Sequence, residues 1–115
     1  MTIPTEGKLL RVFIGETDRW EGRPLYEAIV EAARRDGLAG ATVWKGFMGF
    51  GRHSRVHTAK VLRLSEDLPV VIEIVDAADR IEAFLPTLDR MVQEGLVTLE
   101  RAEVLMYRAP GQPRG

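Results

Sequence analysis

Between Gly37 and Ser65 the chain runs 29 residues without an Asp or Glu, and that stretch carries Lys45, Arg52, Arg55, Lys60 and Arg63 around Gly46, Gly49 and Gly51. Glycines let backbone N–H groups approach a ligand, and guanidinium forks hold phosphate or carboxylate oxygens in a bidentate way, so the segment has the chemistry of an anion site. The same glycines also suit bulges and turns where a twisted strand leaves a sheet, and that reading stays open beside the first. His53 and His57 lie four residues apart and could join Glu73 or Asp76 around a metal, but two histidines without a recognised third ligand do not define a centre, and no metal site is assigned. Ser54 has histidine neighbours but no nucleophile elbow. The glycines match neither a Rossmann fingerprint nor a Walker loop. No catalytic residue is assigned.

Several elements must position this segment. Leu9 to Ile14 is a short apolar run stopped by Gly15 and reads as a buried strand. Pro24 to Asp36 reads as a helix with Leu25, Ile29, Ala32 and Ala33 on one face, Glu27, Glu31, Arg34 and Arg35 on the other, and Gly37 as the stop. Ala41 to Met48 is the second strand expected, Val56 to Leu64 the third, with the basic glycine-rich loop between them. Val70 to Val75 is dense in β-branched residues and continues extended structure. Asp76 is expected to cap a second helix, whose apolar stripe is Ile81, Phe84, Leu85, Leu88, Met91 and Val92, with a kink at Pro86 and an end at Gly95. Val97 to Tyr107 is the last strand, and 109–115 forms a Pro/Gly tail expected to be disordered.

That order predicts an α+β, ferredoxin-like βαββαβ sandwich in one domain over 1–115, with a core of about 7–108, an antiparallel sheet and two helices on one face. Two helices leave the second face of the sheet bare, although strands such as Leu9 to Ile14 are apolar on both sides. Self-association is the simplest cover, and Trp20 and Trp44 are expected at a subunit contact or against the sheet.

Composition narrows the function. The chain has 115 residues and a net charge of −1, so outside the five cations of the acid-free stretch the remainder sums to −6. Such a dipolar molecule, with a pI near 6.1, does not fit a nucleic-acid binder. Cysteine is absent, which rules out disulfides and thiol chemistry and fits a reducing compartment. The first residues lack a secretory pattern and no apolar run approaches the ~20 residues of a membrane span, so a cytoplasmic protein without direct membrane insertion is expected.

The motifs carry a resemblance. Gly49-Phe50-Gly51-Arg52-His53, entering a loop from the second strand, resembles the Gly-Phe-Gly-Arg-Gln start of the T-loop in PII signalling proteins, and Gly40-Ala41-Thr42-Val43 resembles the start of their second strand. The segments Leu10 to Glu16, Pro24 to Val30, Gly40 to Val43, Gly49 to Gly51 and Asp67 to Asp76 together resemble a PII-like family of unknown function, domain-of-unknown-function family 190. The resemblance covers roughly residues 7 to 107. It implies a non-enzymatic homotrimer that binds a small anionic ligand in intersubunit clefts and regulates a partner, such as a membrane transporter or channel, through the loop after the second strand. By that pattern Thr42, Gly49, Phe50, Gly51, Arg52 and His53 would bind the ligand, and Ser54, Arg55 and Val56 would dock the partner. The pattern fixes no cofactor, and it admits an adenine nucleotide beside a smaller anion as the ligand.

The chain departs from PII proteins at the B-loop: Glu94 to Thr98 does not resemble Thr-Gly-x-x-Gly-Asp-Gly-Lys. Near the last strand Arg101 and Arg108 are the basic residues that could replace it. Two other classes stay open: a small enzyme acting on an anionic substrate in an intersubunit cleft, and a docking module that needs no ligand.

Overall fold

The computed structural model describes residues 6–51, 57–58 and 67–110, with the backbone alone described for 57–58. Strand β1 (Glu6–Gly15) leads into a small ribbon of β2 (Arg19–Trp20) and β3 (Arg23–Pro24), and then into helix α1 (Leu25–Arg35). Strand β4 (Thr42–Lys45) is followed by β5 (Met48–Gly49), which pairs with β6 (His57–Thr58) in a separate ribbon. Strand β7 (Pro69–Asp76), helix α2 (Ala78–Met91) and strand β8 (Leu96–Glu103) complete the fold. The main sheet has the order β4-β7-β1-β8 with every pair antiparallel. This is the ferredoxin-like arrangement.

Alternation along the strands sends one set of side chains under the helices. Leu10, Val12 and Ile14 of β1 and Val70, Ile72 and Ile74 of β7 are buried against Leu25, Ala28, Ile29, Ala32 and Ala33 of α1 and Ile81, Phe84, Leu88 and Met91 of α2. Two helical stripes therefore meet a period-two strand pattern in one core. Helix α1 ends as its sequence predicts. Gly37, at φ +79°, lets its own N–H reach the Arg34 carbonyl at 3.1 Å and the Leu38 N–H reach the Ala33 carbonyl at 3.0 Å. That paired closure satisfies two carbonyls that the helix end would otherwise orphan.

Boundaries differ from the sequence reading in four places. The second strand breaks at Gly46 and Phe47 into β4 and β5. Of the expected third strand, Val56 to Leu64, only 57–58 lies among the described residues, and there it belongs to the β5–β6 ribbon and not to the main sheet. The last strand stops at Glu103. Helix α2 passes through Pro86, as its stripe implies, but ends at Met91, short of Gly95. Its N-cap is Ala77, which makes no side-chain capping bond, so Asp76 is not the cap residue. The period of two explains this: Val70, Ile72, Ile74 and Asp76 point the same way, and the carboxylate follows its series into the interior.

The opposite face of the sheet has no helix on it. The register places Trp44, Val71, Phe13 and Leu96 side by side, one from each strand, as an apolar row across the whole sheet. Phe13 and Val71 are half-buried, whereas Trp44 is 58% and Leu96 57% exposed. Next to it runs a polar row of Thr42, Glu73, Arg11 and Thr98. Trp20 instead packs against the core.

Candidate functional site

The open face ends in a groove of about 720 Å³ at the start of β4. Leu9 and Val75 form an apolar floor; the segment from Ala39 to Thr42 is one wall, and the chain after β8, including Tyr107 and Arg108, is the other. The two walls are tied together at Ala39. Its N–H donates to Asp76 Oδ2 at 2.9 Å, and its carbonyl accepts from the Tyr107 hydroxyl at 3.4 Å.

One carboxylate, Glu73, lines the groove, and its charge is already matched. Arg11 Nε donates to Glu73 Oε2 at 2.9 Å while Arg11 Nη1 reaches Glu100 Oε1 at 2.9 Å, and Trp44 Nε1 donates to the other Glu73 oxygen. The Arg11 hydrogen bond, followed by that of Trp44, holds the Glu73 carboxyl below the usual glutamate range, and Arg11 is raised in return. Arg108, by contrast, is exposed and makes no ion pair with any described residue. The groove therefore combines a small apolar floor, a neutralised carboxylate and an exposed guanidinium that has no ion-pair partner among the described residues. That combination suits an anion carrying some apolar surface.

Of the residues selected from the sequence, Thr42 lines the groove. Gly49, Phe50 and Gly51 do not; they lie beyond the other end of β4, at most roughly 23 to 30 Å from Thr42 for a fully extended chain. Gly46 has a packing reason of its own. Its N–H donates to the Pro69 carbonyl at 2.7 Å, and a Cβ there would sit 2.7 Å from Pro69 Cγ. Gly49 also packs closely, since its Cβ would stand 3.0 Å from the same atom. The turn thus folds over Pro69, leaving Phe47 and Phe50 each 73% exposed. Arg52, His53, Ser54, Arg55 and Val56 lie outside the described residues. Among the described residues no group of three or more His, Asp or Glu could hold a metal ion, and no helix is long and apolar enough to cross a membrane.

At the far end of β1, Lys45 pairs with Glu16 at 2.5 Å, Thr17 N–H donates to Asp67 Oδ1 at 2.8 Å, and Gly15 N–H donates to Asp18 Oδ2 at 3.0 Å. Burial pushes the Asp18 carboxyl up, the Gly15 bond opposes it, and Asp67 and Glu94 add to the rise. Asp18 and Asp67 thus close the turn that follows β1. Sequence reasoning offered Arg108 only as a substitute for a missing loop, and it missed Tyr107 altogether. An isolated tyrosine past a strand gives no local signal of what it will touch.

Comparison with known proteins agrees with this fold. A UPF0166 protein of Aquifex aeolicus is 40% identical over 98 residues, covering 85% of this chain and 92% of its own. A UPF0166 protein of Methanocaldococcus jannaschii is 36% identical over 100 residues, covering 86% and 92%. Among solved structures, CPII of Thiomonas intermedia bound to ADP and bicarbonate superposes with a TM-score of 0.57 at 18% identity, covering 86% of this chain and 88% of that one. A Thermus thermophilus protein described as a PII-like signalling protein reaches 0.63 at 16% identity, covering 87% and 90%. At such identities the likeness establishes a shared PII-like fold. The DUF190 model, described as an uncharacterized ACR family, matches residues 7–104, and this chain belongs to that DUF190 family.

Proposed function

We propose that this protein is a non-catalytic, trimeric regulator of the PII-like kind, which binds a small anion or adenine nucleotide between subunits and acts on a partner through the segment after β5. The observation that carries this reading is the position of the groove. It opens on the sheet face that bears the Trp44, Val71, Phe13 and Leu96 row, so whatever covers the row also closes the groove. A second copy of the chain is that cover. It also resolves the distance between Thr42 and the Gly49–Gly51 segment, because a neighbour can bring its own glycines, with Arg52 and His53, to the groove of the first subunit.

Ligand chemistry follows from the residues. Arg108 supplies the positive charge, Thr42 a hydroxyl, and Leu9 and Val75 an apolar surface for a ring. The fold neighbour CPII binds ADP and bicarbonate, which makes these the first ligands to try. The partner-facing segment would be Ser54, Arg55 and Val56, which follow the exposed Phe47 and Phe50 in the sequence, with a membrane transporter or channel as the partner class.

The test is isothermal titration of the purified protein with ADP, AMP and bicarbonate, with mass measured by light scattering on the same samples. A trimer that binds one of these ligands once per subunit, without consuming it, supports the reading. A monomer, or turnover of the ligand, overturns it.

A further inference from the structure

Asp76 has no exposed surface at all, yet it is a carboxylate at the end of the central strand β7. A buried charge persists only when its oxygens are fully used. Here Oδ1 accepts from the Ala77 N–H at 2.7 Å, Oδ2 accepts from the Ala39 N–H at 2.9 Å, and Arg80 Nε stands 3.3 Å from the carboxylate. Arg80 also donates through Nη2 to the Gly37 carbonyl. Asp76 thus has three partners from two elements, and Arg80 extends the set to Gly37: Ala77 and Arg80 open helix α2, while Ala39, two residues after Gly37, begins the wall that continues as Gly40, Ala41 and Thr42 along the groove. Closing the turn into α2 accounts for the bonds to Ala77 and Arg80. It does not need the bond to Ala39, which is 37 residues away in the chain.

From this we infer that Asp76 is the positioning residue of the groove, with Arg80 as its counter-ion: the pair fixes the Ala39–Thr42 wall against β7 and α2. The inference rests on the groove being the ligand site. Without the Asp76 bond, Ala39 is held only through its carbonyl by the longer Tyr107 contact, and the wall carrying Thr42 loses its fixed distance from Arg108. Asparagine at this position keeps one acceptor oxygen but turns an amide N–H₂ toward a donor, so it cannot serve Ala39 and Ala77 together. Loss of a bond to a buried charged group also leaves its partner unpaired.

Backbone amide hydrogen exchange on the full chain tests this without any ligand, and ADP titration tests it with one. In Asp76→Asn, the Ala39 amide should exchange at least tenfold faster, and the Gly40, Ala41 and Thr42 amide resonances should shift, while Val70, Ile72 and Ile74 keep their protection. ADP affinity should fall at least tenfold at a temperature where the variant is fully folded. Should Asp76→Asn fail to fold, Arg80→Gln, which keeps the carboxylate, should still speed Ala39 exchange at least threefold. Uniform loss of protection across the sheet, or an unchanged Ala39 amide in Arg80→Gln, overturns the inference. If the wild-type protein binds no ADP, the groove reading fails, and the exchange arm alone decides whether the clasp holds the wall.

Discussion

Replacing Trp44 by serine should break the assembly without unfolding the subunit. Trp44 sits on the edge strand β4 and its side chain is 58% exposed. Of the ~250 Å² that a tryptophan can bury, roughly 145 Å² remains for a neighbour to cover. At about 25 cal/mol per Å², full cover is worth ~3.6 kcal/mol per subunit, and half cover about 1.8. Association of the variant should therefore weaken by roughly 20- to 400-fold per contact. Within the subunit the loss is small, because Glu73 keeps its Arg11 partner when the indole bond goes. The assay is sedimentation velocity or light scattering over a dilution series from high to low micromolar, with circular dichroism as the check on folding. A folded variant that dissociates at higher concentration than wild type is the expected result. A midpoint within threefold of wild type would refute the argument that the apolar row is the subunit contact.

Further predictions follow from the geometry. Arg108→Ala should weaken ADP binding by about ten- to a hundredfold, the worth of a hydrogen bond to a charged group, with the oligomer intact by light scattering. Glu73, whose folded-state carboxyl is held low, contributes stability that is present above its unfolded value near 4.5 and lost as pH falls through the folded value. Glu73→Gln should thus flatten that acid limb in melts taken from about pH 5.5 to 3. Asp18 has the opposite sign: its raised carboxyl contributes stability below the unfolded value that is lost as pH rises, so Asp18→Asn should flatten a decline between about pH 4 and 6. Gly46→Val places atoms where Pro69 Cγ already lies 2.7 Å from the Cβ position, and should cost about 1–3 kcal/mol, read as a fall of several degrees in Tm.

The fold was readable because its signals are local and repeated. The apolar run of β1 stopped by Gly15, the α2 stripe and the Gly37 stop each state their element without reference to the rest of the chain, and their order implies the sheet. The bare second face was readable too, since Leu9 to Ile14 supplies apolar side chains in both directions and two helices cover only one. The site was less legible. Thr42 was found through a motif, but the groove depends on Tyr107 and Arg108 returning past β8 to meet Ala39, a contact between positions 68 residues apart. The glycines that drew attention first have a packing partner, Pro69, that no local pattern announces. Asp76 shows the same limit from the other side. Its place in the inward series Val70, Ile72, Ile74 was available from the period of two, but its partner Ala39 was not.

The central claim is that the groove of one subunit is completed by the next around an anionic ligand. A crystal structure grown with ADP and bicarbonate tests it most directly. The account predicts a trimer with the Trp44 row covered and ligand density bounded by Thr42 and Arg108 of one subunit and the Gly49–Gly51 segment of its neighbour. Ligand held within a single subunit away from Arg108, or an assembly that leaves the Trp44 row in solvent, would contradict it.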